Sequence, residues 1–250
     1  ERLAALATEA GVRVDVQIRV TPGIKPSTHS YIQTGQIDSK FGFSVGNGLA
    51  LDAVRRVQAA PSLRLRGIHC HIGSQIHEIA SYGAEGAALV DFLVLVKDSV
   101  GWVPEELNLG GGLGIAYLPH DQPPTVDAYA SLLACALHEH WPRLGGPLPV
   151  VMVEPGRSIV GEAGITVYAI DTVKDIPGVR IYASVDGGMT DNMRVALYQA
   201  RYHGVLANRA AERPTQKVSI AGKCCETGDM IAWDLALPPV RRGDLLAVFS

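Results

Sequence analysis

The sequence predicts an α/β protein whose repeated β/α units give way, near residues 158–165, to a mostly β region. Three observations predict it. Helical and strand-like apolar patterns alternate over residues 1–157, which is the signature of parallel β/α units. Beyond that point, strand-like runs follow one another without long helices between them. Finally, motifs bearing glycine or proline follow three successive predicted strands, and in parallel α/β folds ligands gather at the carboxyl ends of strands.

Each element has its own justification. Residues 1–10 carry Leu3, Leu6, Ala7 and Ala10 at helical spacing, with Gly11 as the stop. Residues 12–20 alternate strictly, apolar on one side and Arg13, Asp15, Gln17 and Arg19 on the other, so a strand is predicted. Such alternation also suits a half-exposed antiparallel strand. Polar side chains at the mouth of a barrel would reconcile it with a parallel one. Residues 47–60 read as a helix ended by Pro61, 65–71 as a strand and 84–100 as largely helical. Residues 106–109 form a short strand running into glycines, 125–141 a helix, and 150–154 a strand entered through Pro149. Past the boundary, 165–173, 179–185, 216–220 and 245–250 read as strands. No short repeat or low-complexity linker interrupts the chain.

Bulk properties narrow the classes. A chain of 250 residues holds one large domain or two smaller ones. A net charge of −3 gives no electrostatic reason to expect nucleic acid or a membrane as partner. There is no signal-peptide pattern, and the longest apolar run, around 87–96, is broken by Asp91 and followed by Lys97. Cysteines at 70, 135, 224 and 225 form no CxxC pair, and adjacent Cys224 and Cys225 suit a disulfide poorly. A reduced, cytoplasmic setting is expected. The chain opens at Glu1 inside a helical pattern and closes in mid-strand, so it is expected to be a piece of a longer protein and inactive alone.

The motifs carry the chemistry. In Gly110-Gly111-Gly112-Leu113-Gly114, glycines after a strand let backbone N–H groups approach a phosphate closely. The string matches neither GxxxxGK[ST] nor GxGxxG, since position 115 is Ile. A small phosphate ester suits it better than a dinucleotide, and a plain flexible turn is the alternative. His69 and His71, two apart on a predicted strand, share a face. With His77 and Glu78 they suggest a metal site; alternatively one ring lies flat on an aromatic cofactor, or both are core residues. Ser74 is placed to donate to a phosphate oxygen. Glu154 ends an apolar run and meets Pro155-Gly156-Arg157. A carboxylate there needs a partner, either Arg157 or a protonated ring nitrogen. Cys224-Cys225-Glu226 follows the strand 216–220. Free cysteines are usually inert packing, but a thiol beside an acid can also deliver a proton, and Glu226 can accept a substrate ammonium group. A ring-stacking histidine, a phosphate cradle, a carboxylate for a ring nitrogen and a thiol together suit pyridoxal 5'-phosphate and an amino-acid substrate.

Those motifs come with Arg19-Val20-Thr21-Pro22-Gly23, Lys40-Phe41-Gly42-Phe43-Ser44, and Asp186-Gly187-Gly188-Met189 followed by Arg194 and Tyr198. In this order, over essentially the whole chain, they resemble the fold-type III pyridoxal-phosphate decarboxylases, most of all the diaminopimelate-acting branch. The resemblance implies the C-terminal part of an alanine-racemase-like (β/α)8 barrel over residues 1–160, then part of a β-barrel domain over 161–250. It implies His71 stacked on the cofactor ring, Ser74 and Gly110, Gly111 and Gly112 at its phosphate, Glu154 at its ring nitrogen, and the Pro155-Gly156-Arg157 segment alongside. It implies Arg157, Arg194, Tyr198 and Glu226 as substrate-binding residues and Cys225 as proton donor, acting across a homodimer. The implied activity is decarboxylation of meso-2,6-diaminopimelate to L-lysine, with no metal.

Three departures stand out. The lysine that carries the cofactor in that family precedes the opening helix, and none of Lys25, Lys40, Lys97, Lys174, Lys217 or Lys223 has its context. A C-terminal tyrosine is expected past Ser250. The family's CESGD reads CETGD, with Thr227. Alternatives are a related decarboxylase acting on ornithine, lysine or carboxynorspermidine, a racemase, which would need a second base, and a non-enzymatic pyridoxal-phosphate-binding protein, to which the β-rich second part is unsuited.

Overall fold

The structure is a computed structural model that describes residues 1–24 and 40–249; Lys25 and Ser250 lie outside the described residues. Residues 1–114 with 123–158 pack as one compact unit, and residues 115–122 with 159–250 as a second.

The first unit contains α1 (Arg2–Glu9), β1 (Val14–Thr21), β2 (Phe43–Ser44), α2 (Leu49–Gln58), β3 (Leu63–His69), α3 (Ala80–Val100), β4 (Glu106–Asn108), α4 (Val126–His140) and β5 (Val150–Met152). Its strands form one wholly parallel sheet in the order β2-β1-β3-β4-β5. The antiparallel reading of β1 is therefore set aside. Its strict alternation has a local cause. Ile18 and Val20 are buried in the core, while the polar side chains join a cross-strand network. Gln17 donates to Glu106 at 2.8 Å, Arg66 reaches the same carboxylate at 2.9 Å, and Arg64 pairs with Glu105 at 2.9 Å. Cross-strand pairs of this kind stabilise a sheet face that apolar packing does not cover.

The core lies between this sheet and its helices, with Ile68, Leu89, Leu93 and Leu107 fully buried. Truncating one such leucine would cost about 2–5 kcal/mol. Helix α4 starts where the Thr125 hydroxyl accepts the Ala128 N–H at 3.1 Å, a side-chain cap for an otherwise orphaned donor. It packs on α3 partly through Tyr82 and Tyr129, whose rings meet edge-on at 4.7 Å.

A short helix, α5 (Arg157–Val160), follows β5. The second unit holds β6 (Ile165–Ile176), β7 (Arg180–Val185), α6 (Arg194–Tyr198), β8 (Gly204–Leu206), β9 (Gln216–Ala221), β10 (Met230–Leu237) and β11 (Leu245–Phe249). They make one sheet in the order β10-β9-β7-β6-β11-β8, antiparallel except between β7 and β9. The sheet curls until its edges meet, with Gly204 of β8 lying against Leu235 of β10.

Several predicted limits shift. Strand β3 stops at His69 and β5 at Met152, so His71 and Glu154 both stand on the loops beyond their strands rather than within them. Helix α3 begins at Ala80, four residues before the predicted start, because a turn closed by Tyr82 N–H on the Ile79 carbonyl feeds directly into it. Strands β2, β8 and β10 were not anticipated. Among the described residues, no helix is long and apolar enough to cross a membrane.

Candidate functional site

At the carboxyl end of the parallel sheet, the loops after β3, β4 and β5 close on one another. The glycine loop after β4 is the hub. The backbone N–H of Gly111 donates to His71 Nδ1 at 3.1 Å, and the Gly112 carbonyl accepts the Ile76 N–H at 2.9 Å. The Glu154 N–H donates to the Gly110 carbonyl at 2.6 Å. A Cβ at Gly111 would lie 2.1 Å from the Glu154 carbonyl oxygen, and one at Gly112, with φ +104°, 2.1 Å from the Gly73 carbonyl oxygen. Only glycine permits that approach and that dihedral. The loop is thus a fixed backbone cradle rather than a loose turn. From below, the buried Tyr82 hydroxyl donates to the Gly111 carbonyl at 3.3 Å.

His71 accepts at Nδ1, so its ring proton belongs on Nε2. Burial, followed by the positive charge of Arg19 and by His69, holds its pKa below the ordinary histidine value. The imidazole is therefore neutral at pH 7. His69 is also held low, chiefly by burial and against the pull of Glu154. The two histidines take separate partners and do not act as a pair. Among the described residues, no group of three or more His, Cys, Asp or Glu side chains is arranged to hold a metal ion.

Glu154 accepts from Asn108 Nδ2 at 2.9 Å and meets His69 Nε2 at 3.3 Å. Burial pushes its pKa up, but the Asn108 hydrogen bond and the two histidines together outweigh burial and hold it below the usual carboxylate range. Its carboxylate is ionised at neutral pH. The ion pair with Arg157 that the sequence allowed does not form; Arg157 instead donates to the Ser74 hydroxyl at 3.0 Å. Pro155 and Gly156 are the exposed link between Glu154 and Arg157. His71, Ser74, Gly110, Gly111, Gly112, Glu154 and Arg157 are thus brought into one cluster in the first unit.

The second unit carries Arg194, Tyr198, Cys225 and Glu226. Arg194 opens α6, and Tyr198 closes it. Cys225 and Glu226 are exposed on the loop between β9 and β10, where Gly228 N–H donates to Glu226 at 3.2 Å. A buried carboxylate, Asp229, joins that loop to the segment leading into α6. It accepts Cys224 N–H at 2.6 Å and Met189 N–H at 2.5 Å. The Cys224 thiol is driven upward in pKa, by burial and then by Asp229.

Sequence reasoning missed Asn108. For Asn108 a signal existed: a polar residue inside an apolar strand immediately before three glycines, which calls for a partner.

Comparison with known proteins adds independent findings. The sequence profile described as "Pyridoxal-dependent decarboxylase, pyridoxal binding domain" matches residues 1–161. Diaminopimelate decarboxylase of Bacillus subtilis (strain 168) is 48% identical over 247 residues, covering 99% of this chain and 56% of that protein. A crystal structure of diaminopimelate decarboxylase from M. jannaschii in co-complex with L-lysine superposes with a TM-score of 0.85 at 35% identity, covering 98% of this chain and 55% of that one. Lysine/ornithine decarboxylase from Vibrio vulnificus, complexed with putrescine, shares the fold at TM-score 0.73 and 21% identity, covering 99% of this chain and 59% of that one. The chain spans a little over half the length of the curated relatives it matches. Since the family profile runs from the first helix through the three strand-end loops just described, the chain belongs to the pyridoxal-dependent decarboxylases.

Proposed function

We propose that this protein decarboxylates meso-2,6-diaminopimelate to L-lysine and CO2, the final step of lysine biosynthesis, with pyridoxal 5'-phosphate as cofactor. The residues present suit that cofactor. Gly111 and Gly112 hold the loop tight against the backbone of Glu154 and Gly73, and such a fixed glycine loop after a strand suits a phosphate. The ionised Glu154 carboxylate suits a protonated ring nitrogen, and neutral His71 offers a flat ring. Ser74, with Arg157 beside it, completes the phosphate donors, and Pro155 and Gly156 line the approach.

When bound, the cofactor supplies the electron sink that a departing carboxylate requires. With the cofactor bound, Glu154 would be the carboxylate that keeps a ring nitrogen protonated, and His71 would lie against the ring. Arg157, Arg194, Tyr198 and Glu226 grip the far end of the substrate, whose carboxylate and ammonium groups need donors and an acceptor together. Cys225 delivers the proton that replaces CO2 at the α-carbon. In this reading the protein is a cytoplasmic homodimer, and Cys225 serves the partner subunit's site.

One observation carries the choice of substrate. Among the described residues, Arg194 makes no ion pair with a carboxylate. Asp191 is engaged by Tyr168 and Gly188, and Asp186 by Ala169. A guanidinium left without its counter-charge suits a substrate carrying a second carboxylate, which ornithine and lysine lack. The test is to supply the whole protein and cofactor with meso-diaminopimelate and to assay L-lysine and CO2. Stoichiometric release of both is expected; absence of lysine with turnover of ornithine would favour the broader decarboxylase reading.

A further inference from the structure

We infer that Tyr117 and Tyr202 are positioning residues that hold Arg194 for a carboxylate of the substrate. The inference rests on the reading of Arg194 given above and extends it to residues outside every motif used there. Tyr117 stands on the loop 115–122, which follows the glycine cradle in sequence yet packs with the second unit. Asp121 fixes that loop by accepting the N–H groups of both Tyr117 and Leu118 at 2.9 Å. The Arg194 guanidinium carbon lies 4.6 Å from the centroid of the Tyr117 ring and 5.7 Å from that of Tyr202. One guanidinium nitrogen donates to the buried Tyr202 hydroxyl at 2.7 Å. The two rings meet edge-on, 5.4 Å apart at 88°, so each braces the other.

The choice of tyrosines has a chemical consequence. An acidic partner would neutralise the guanidinium and compete with an incoming anion. Aromatic faces attract a cation through their quadrupole without cancelling its charge. The hydroxyl of Tyr202 occupies one N–H direction, whereas a guanidinium has five in a planar fork. Arg194 is thus fixed in place while its charge remains available to a carboxylate. A fixed cation loses little rotamer freedom on binding, which favours affinity.

The test uses L-lysine and cadaverine, which differ by one carboxylate, as inhibitors of the whole, cofactor-loaded enzyme. L-lysine is the expected product and retains the distal carboxylate that Arg194 would grip. Removing a cation–π contact should weaken L-lysine binding about 3–30-fold in Tyr117→Ala. Tyr117→Phe, which keeps the aromatic face, should stay within about 2-fold of wild type. Tyr202→Phe keeps the ring but loses the hydroxyl, which accepts from Arg194 at 2.7 Å and donates weakly to Asn192 at 3.4 Å, and should weaken L-lysine binding about 3–10-fold. Cadaverine binding and the absorbance of bound cofactor should be unchanged in all three. Equal losses for both inhibitors, or none in either Tyr117→Ala or Tyr202→Phe, would overturn the inference. If Tyr117→Ala does not fold, the Tyr202→Phe comparison decides alone. A wild type that does not distinguish L-lysine from cadaverine would instead overturn the assignment of substrate.

Discussion

Glu154 sits between Asn108 and His69, and both contacts favour its ionised form. That small arrangement shows how the candidate site is built at the scale of single residues, with a loop residue offering an ionised carboxylate and strand residues fixing its state. Cys224 and Cys225 make the same contrast. The backbone of Cys224 is tied to Asp229 and its thiol is raised in pKa, while Cys225 is exposed. Cys225→Ala in the whole enzyme should therefore cut turnover roughly 10²–10⁴-fold, the range for one proton-transfer group. Cofactor retention should be unaffected, and Cys224→Ala should have a far smaller effect. Turnover and bound-cofactor absorbance of the two variants check this, and the reverse order of effects would reassign the proton donor. The shared strand-end placement of His71, Glu154 and Arg157 was legible in the sequence because each follows an apolar run and adjoins glycine or proline. Tyr117 and Tyr202 were not, since a loop tyrosine breaks no pattern and its partner lies far along the chain.

At the scale of elements, the parallel sheet was legible wherever strand and helix alternated. The strands that escaped notice have physical reasons. β2 and β8 are two and three residues long, too short for a period to show. In β10 the register shifts between Ala232 and Leu235, and Asp234 takes a positive φ of 52°, so its alternation breaks midway. Helix α3 hides another feature. It buries Glu85 completely beside Cys70. Burial raises the Glu85 pKa to about 8, outweighing the lowering influence of the adjacent Cys70 thiol, and neither carboxyl oxygen has a hydrogen-bond partner among the described residues. Between its unfolded value of 4.5 and about 8, the folded protein holds a proton that the unfolded chain has lost. Stability from this group is therefore greatest in acid and falls as pH rises through that window. Glu85→Gln should be more stable than wild type at pH 8, by a few kcal/mol at most on the order of 1.4 kcal/mol per pH unit. The gain should shrink towards pH 5. Denaturant unfolding across that range checks it; a loss of stability equal at every pH would mean that the carboxyl group has a specific partner instead.

At the scale of the whole molecule, the residues proposed to hold the cofactor lie in the first unit, and of those proposed for the substrate and the proton, Arg194, Tyr198, Cys225 and Glu226 lie in the second, with Arg157 in the first. The sequence marked that division through the change from alternating helices and strands to strands alone. It gave no sign that residues 115–122 pack with the later part, because membership of a unit depends on long-range packing that no local pattern reports. If Cys225 acts on the partner subunit's site, two inactive variants should complement each other. Mixing Cys225→Ala subunits with Glu154→Gln subunits should restore about a quarter of wild-type activity for random pairing of equal amounts. No recovery after demonstrated subunit exchange would place thiol and cofactor in the same chain.

The most direct measurement compares kcat/KM for meso-diaminopimelate, lysine and ornithine in the whole wild-type enzyme and in Arg194→Ala. A hydrogen-bonded contact between charged groups that only one substrate can make is worth about 1.5–3 kcal/mol, roughly a 10–10²-fold preference for the dicarboxylate substrate. Wild type should show that preference, and Arg194→Ala should lose most of it while retaining cofactor. Equal wild-type rates on all three substrates would contradict the account.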